Sequence, residues 1–159
     1  MRLKNIVDED FINYKNCSMF IGTISCGGKC CIEAGIPLSV CQNDEWRNAK
    51  VLDIPDEKII KRYLDNRYSD CIVFGGLEPF EQYEELLMFI KEFRKVSNDQ
   101  IIIYTGYEKV ELSNQIEELS TYPNIIIKFG RYIPNRDTRF DDVLGVTLAS
   151  DNQYAERIS

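Results

Sequence analysis

Four of the six cysteines in this 159-residue chain, Cys26, Cys30, Cys31 and Cys41, crowd into one short stretch. Three thiolates gathered on a loop can hold iron, zinc or a redox cluster. The stretch follows an apolar run, Ser18–Ile24, so its thiols would emerge at the end of a buried strand. A zinc knot would want four thiolates, and these four cysteines could supply them. Zinc sites, however, usually show paired CxxC knuckles, and the sequence has none. Cys17 and Cys71 lie outside the stretch and read as small buried core residues.

The chain has no histidine. That excludes Ser-His-Asp and Cys-His triads, histidine zinc sites and imidazole proton shuttles together. Chemistry must then rest on cysteine, carboxylates, lysine, tyrosine or a cofactor. The opening residues, MRLKNIVDED, do not read as a secretion signal. Cysteines in that setting favour metal or redox use over structural disulfides, which implies a reducing, cytoplasmic compartment. A net charge of −7 argues against a general nucleic-acid surface. No apolar run approaches the length of a bilayer span.

The elements that must position the thiols follow from periodicity. One domain over residues 1–159 is expected, with residues 1–17 as an N-terminal arm carrying an edge strand or turn. Ser18–Ile24 is the first buried strand. Residues 26–41 form the cysteine loop, and Asn43–Pro55 is irregular, anchored by Trp46. A helix starts at Pro55-Asp56-Glu57, where acidic residues suit the positive helix end. Cys71–Phe74 is the second strand, and Glu81–Val96 the clearest helix, with Leu86, Leu87, Ile90 and Phe93 at helical spacing. Gln100–Tyr104 and Asn124–Phe129 are the third and fourth strands, separated by a helix on Leu112, Ile116 and Leu119. A loop at Pro134–Asp142 leads to a short strand, Val143–Leu148, and a tail. Such alternation gives an α/β fold of βαβ units with a mainly parallel sheet. Ligands of such sheets sit beyond the carboxyl ends of the strands. Cys26, Gly75-Gly76, Thr105-Gly106 and Arg131 all fall there, which suggests one shared site.

Two of these stretches carry further chemistry of their own. Paired glycines at 75 and 76 end a strand, and they also let bare N–H and C=O groups approach a ligand closely. Thr105-Gly106 reads as a turn or an N-capping segment opening the third helix.

Cys26-x3-Cys30, with Cys41 followed by Gln42 and Asn43, resembles the cluster loop of radical S-adenosylmethionine (SAM) enzymes. In that family three cysteines ligate a [4Fe–4S] cluster, and the fourth iron stays open for SAM. Ten residues separate Cys30 from Cys41 here, where the family usually has two, and Cys31 is a rival for the middle ligand. Gly75-Gly76-Leu77-Glu78-Pro79 resembles the family's GGEP motif with a leucine inserted. Tyr104-Thr105-Gly106-Tyr107, Gly130-Arg131-Tyr132-Ile133 and Ser150-Asp151-Asn152-Gln153 are similar, in order, to stretches of the activases of anaerobic (class III) ribonucleotide reductase. Lys128 stands where those activases tend to carry an acidic residue.

The resemblance implies a truncated, partial (β/α) barrel of the radical SAM type. It implies Cys26, Cys30 and Cys41 as cluster ligands, with no catalytic side chain beyond the cluster. Gly75, Gly76 and Glu78 would hold SAM, Thr105, Gly106 and Lys128 would line its pocket, and Asn43 and Asn152 are further candidates. The implied activity is reductive cleavage of SAM and generation of a glycyl radical on a partner, first of all the large subunit of anaerobic ribonucleoside-triphosphate reductase. A flavodoxin-type protein is the implied electron donor. Two alternatives stand beside it: a radical SAM maturase of another peptide or protein, and a non-enzymatic zinc or iron–sulfur module. Lys29, Arg136 and Arg139, on loops at the open end of an acidic chain, are candidate partner contacts.

Overall fold

A computed structural model describes residues 1–159. Its centre is a six-stranded sheet. The strands are β2 (Asn5–Asp10), β3 (Ser18–Gly22), β5 (Cys71–Gly75), β6 (Gln100–Tyr104), β7 (Ile125–Phe129) and β10 (Tyr154–Arg157). Their spatial order is β10-β7-β6-β5-β3-β2. The four middle strands run parallel, while β2 and β10 pair antiparallel at the two edges. The expected mainly parallel sheet is therefore present, as an open sheet with no closure into a barrel.

β-Branched and aromatic runs such as CIVFG and IIIKF suit strands covered on both faces, and every residue of β3, β5 and β7 is buried. Alternation sorts them. Ile21, Phe74, Ile103 and Ile127 point to one face, under α3 (Asp56–Asp65), α4 (Tyr83–Phe93) and α5 (Ser113–Leu119). Phe20, Val73, Ile102 and Ile126 point to the other, which Tyr14, Leu144 and Leu148 cover. Each large side chain buried here adds about 1.5–3 kcal/mol of transfer free energy.

Two short pairings complete the fold. β1 (Arg2–Leu3) pairs with β4 (Leu52–Asp53), and β8 (Arg139–Asp141) with β9 (Val146–Leu148). The expected strand at Val143–Leu148 is thus the second arm of a hairpin outside the main sheet. The expected tail supplies β10, because Tyr154–Arg157 satisfies the open edge of β7. No helix is long and apolar enough to cross a membrane.

Candidate metal centre

The carboxyl ends of β5, β6 and β7 bring together six of the expected site residues. Gly75 and Gly76 end β5, and Gly76 adopts φ 81°, a conformation that favours glycine. Glu78 follows, buried, with its carboxylate used across the sheet rim. Oε1 accepts from Thr105 Oγ1 at 2.7 Å and from Phe80 N at 3.2 Å, and Oε2 accepts from Gly106 N at 2.9 Å. Burial pushes this carboxyl up to about 7 against the pull of those donors. Lys128 is buried on β7 and donates to Gly130 O at 3.0 Å. Its desolvation lowers the ammonium to about 8. Cys30 faces the same rim: a Cβ on Gly106 would lie 2.7 Å from its Sγ.

The cysteine loop is held from below by the segment after the glycines. Glu78 N donates to Ser25 O at 2.7 Å, and Ile24 N donates to Gln82 Oε1 at 2.7 Å. Glu81 accepts from Ser25 Oγ at 2.7 Å and from Gly27 N at 2.5 Å. The chain then turns at Gly28, φ 76°, into α1 (Lys29–Ala34), which Gly35 ends at φ 65°. Successive residues on a helix point in different directions. Cys30 accordingly faces the sheet rim, while Cys31 is buried on the side of Cys41 and Cys26, whose negative charges would raise its thiol. Burial is the main cause that raises the Cys26, Cys30 and Cys31 thiols alike.

Two arginines lock this loop: Arg131, which the sequence reading puts at the end of the fourth strand without this role, and Arg47, which it does not place. Arg131, 10% exposed by side chain, pairs with Glu111 through Nη1 at 2.7 Å and Nη2 at 2.9 Å, and donates to Glu33 of α1 through Nη2 at 3.0 Å. Lys29 also pairs with Glu111 and lies 5.2 Å from the centre of the Tyr107 ring. Arg47, on α2 (Asp44–Asn48), donates to the Cys26 carbonyl and sits 3.8 Å from Cys26 Sγ. Its one signal in the sequence was a lone cation close after the last cysteine.

Trp46, beside Arg47, is the other residue whose place was not foreseen. Its six-membered ring lies directly over Gly22 and Gly76, where a Cβ on Gly76 would come within 2.9 Å of Cζ3. Phe20 supports it edge-on, with centroids 5.8 Å apart. The bare glycines are thus approached closely by a side chain of the chain itself.

The remaining candidates are peripheral. Asn152 Nδ2 donates to Arg131 O at 2.9 Å behind the β7 rim, leaving a buried Oδ1 without a partner. Asn43 stands at the start of α2 and makes no side-chain cap. Of the expected docking charges, Lys29 and Arg136 are each paired within the chain, Arg136 with Asp151 at 3.0 Å. That leaves Arg139 alone of the three without a recorded ion pair, on exposed β8.

The donor set suits a soft, thiolate-bound metal group: four free cysteines on one loop and neighbouring cations to offset thiolate charge. No three cysteine, aspartate or glutamate side chains stand gathered around a point where a metal could sit. Holding such a group therefore requires the loop to draw its cysteines together.

Residues 33–149 match the sequence family described as 4Fe–4S single cluster domain. The matched stretch includes Cys41 and begins after Cys26, Cys30 and Cys31. No curated protein and no solved structure matches the chain significantly.

Proposed function

Since the chain belongs to the 4Fe–4S single cluster domain family, we propose that its cysteine loop carries a [4Fe–4S] cluster on Cys26, Cys30 and Cys41 and that the chain is a radical SAM activase. One observation carries the step from cluster protein to radical chemistry. Gly75, Gly76, Glu78, Thr105, Gly106 and Lys128 share one strand-end rim, and Cys30 faces that rim. A zinc or electron-transfer module would not need a buried carboxylate and a buried lysine beside its metal loop.

Cys26, Cys30 and Cys41 would hold the cluster, which, once reduced by an external donor, would supply the one electron for cleavage of SAM to methionine and a 5′-deoxyadenosyl radical. The chain's residues bind, orient and exclude water. Glu78 fixes the β5 and β6 ends against each other through Thr105 and Gly106, so the rim is rigid before a ligand arrives. The glycines at 75 and 76 offer main-chain groups to the amino acid part of SAM. Lys128 donates to two main-chain carbonyls and has Cys30 and the Glu78 carboxylate nearby, so it supplies a positive charge at the metal-facing rim. Asn152 stands behind the rim and ties the Arg131 backbone through Nδ2. Arg131 and Arg47 hold the two arms of the cysteine loop.

The open sheet is compatible with the partial barrel of that family, whose open side a large folded substrate can cover. The substrate proposed is the glycine Cα of a glycyl-radical enzyme, first the anaerobic ribonucleotide reductase, with a flavodoxin-type donor and a cytoplasmic setting. The test is electron paramagnetic resonance of that reductase after incubation with the reduced, reconstituted protein and SAM. A glycyl doublet that requires all three components supports the activase. SAM cleavage without any glycyl signal transfers the assignment to a peptide or protein maturase. An intact cluster that never cleaves SAM leaves a non-enzymatic iron–sulfur module.

A further inference from the structure

The short helix α2 touches both halves of the site. It begins right after the last cysteine, with Asp44 N donating to Cys41 O at 3.0 Å. Its Arg47 grips the carbonyl of Cys26, the first cysteine. Between these two attachments Trp46 projects over Gly22 and Gly76. The far end of the helix is tethered by Lys4, whose Nζ donates to Ala49 O at 2.6 Å and Arg47 O at 3.1 Å. Five residues long and without a side-chain N-cap, α2 takes its position from these tethers rather than from its own stability.

Two facts bear on whether α2 moves. The cysteines are not gathered in this conformation, so loading the loop must move at least one of Cys26, Cys30 and Cys41, and two of these three are tied to α2. The indole fills the space on the Cβ side of Gly76, so a ligand cannot approach that face of the glycine while Trp46 is seated. We infer that α2 is a lever: gathering the cysteines swings Trp46 off the glycine platform and uncovers the platform for its ligand. The lever makes ligand access depend on a loaded loop, so SAM is not held where it cannot be reduced. The inference rests on the cluster reading for its trigger and on the SAM reading for its ligand, and the two dependences separate by experiment.

Trp46 is the chain's only tryptophan, which makes it its own reporter. Biosynthetic 5-fluorotryptophan gives one fluorine resonance, whose shift between H2O and D2O reads the exposure of the indole. The full chain is compared before and after anaerobic loading with iron and sulfide, in the oxidised state. Loading should raise the solvent isotope shift toward that of free 5-fluorotryptophan. In Arg47→Met the rise should be smaller at equal iron content, because the tie to Cys26 is cut. Calorimetry with S-adenosylhomocysteine supplies the second readout. If Trp46 is seated in nine chains of ten before loading, Trp46→Ala should bind about tenfold more tightly than the parent in the unloaded chain. Trp46→Phe, which keeps an aromatic ring over the glycines, should lie between the two and guards against misfolding of the alanine variant. An isotope shift unchanged by loading overturns the lever, as does weaker binding in both Trp46 variants, which would make the indole a fixed wall. A rising isotope shift with no S-adenosylhomocysteine bound by any chain leaves the lever standing and removes the SAM reading.

Discussion

Replacing Arg131 by methionine cuts the link between α1 of the cysteine loop and the turn before α5. The guanidinium makes a two-point pair with Glu111 and a further bond to Glu33. Its side chain is 10% exposed, Glu111 is 25% exposed and Glu33 is 48% exposed. Glu33 is thus free to rehydrate, and Glu111 keeps Lys29 and the Glu108 amide, so neither carboxylate is stranded as in a fully buried pair. The loss should fall between the roughly 0–1 kcal/mol of a surface bridge and the roughly 3–5 kcal/mol of a broken buried one, at about 2 kcal/mol. For a chain of this length that lowers Tm by about 4–8 °C. The effect carries a pH signature. Hydrogen bonds from Arg131 hold the Glu111 carboxyl down to about 2, below its ordinary 4.5. A depressed carboxyl stabilises above its unfolded value and loses that contribution as pH falls through its folded value. The parent–variant gap should therefore narrow as pH falls from 4.5 toward 3. Urea unfolding of parent and variant at pH 7, 4.5 and 3 reads this directly. A parent–variant gap that stays constant down to pH 3, or no gap at pH 7, would refute the clasp.

Three further outcomes follow from the same geometry. Alanine at Cys26, Cys30 or Cys41 should abolish the cluster's visible absorbance, whereas Cys17→Ala and Cys71→Ala should spare it. Retention in Cys30→Ala with loss in Cys31→Ala would assign the middle ligand to Cys31. Glu78, raised by burial to about 7 from 4.5, favours the native state while protonated, so the apo chain should lose stability as pH climbs from about 4.5 through 7. Urea midpoints of Glu78→Gln over that range should lack this decline, and a parallel decline in both chains would count against the assignment. Phe74→Ala empties a wholly buried site against Phe89 and should cost about 3–5 kcal/mol by denaturant titration, with a loss under 1 kcal/mol contradicting the core described.

The parallel core was legible because its strands are unbroken apolar runs between glycine and helix signals. Gln100–Tyr104 falls where expected, and Cys71–Gly75 and Ile125–Phe129 fall within one residue of it. The helix read over Glu81–Val96 opens instead with a 3-10 turn, Pro79–Gln82, because Glu78 bonds Phe80 N and tightens the first turn. α1 and α2 were not legible, since Lys29–Ala34 and Asp44–Asn48 are too short for a periodic stripe and are fixed by Arg131 and Arg47 from a distance. β10 was missed because YAER carries no strand-like run and pairs only because β7 offers an edge. At the site, the clustering of Gly75, Gly76, Glu78, Thr105, Gly106 and Lys128 could be anticipated from their strand-end positions. The role of the glycines could not. The sequence reading has them bare for a ligand, and the structure puts Trp46 against Gly76, and Phe20 and Tyr104 against Gly75, first. Gly76→Val would therefore strain a φ of 81° and strike the indole, so its effect is not confined to ligand binding.

The central claim, a thiolate-held cluster on this loop that cleaves SAM, is tested most directly by product analysis. The anaerobically reconstituted chain is reduced with dithionite in the presence of SAM, and 5′-deoxyadenosine is measured by mass spectrometry. The account predicts 5′-deoxyadenosine in step with methionine, and none in Cys26→Ala, Cys30→Ala or Cys41→Ala. A chain carrying about four irons, fully reduced and saturated with SAM, that yields no 5′-deoxyadenosine would contradict it.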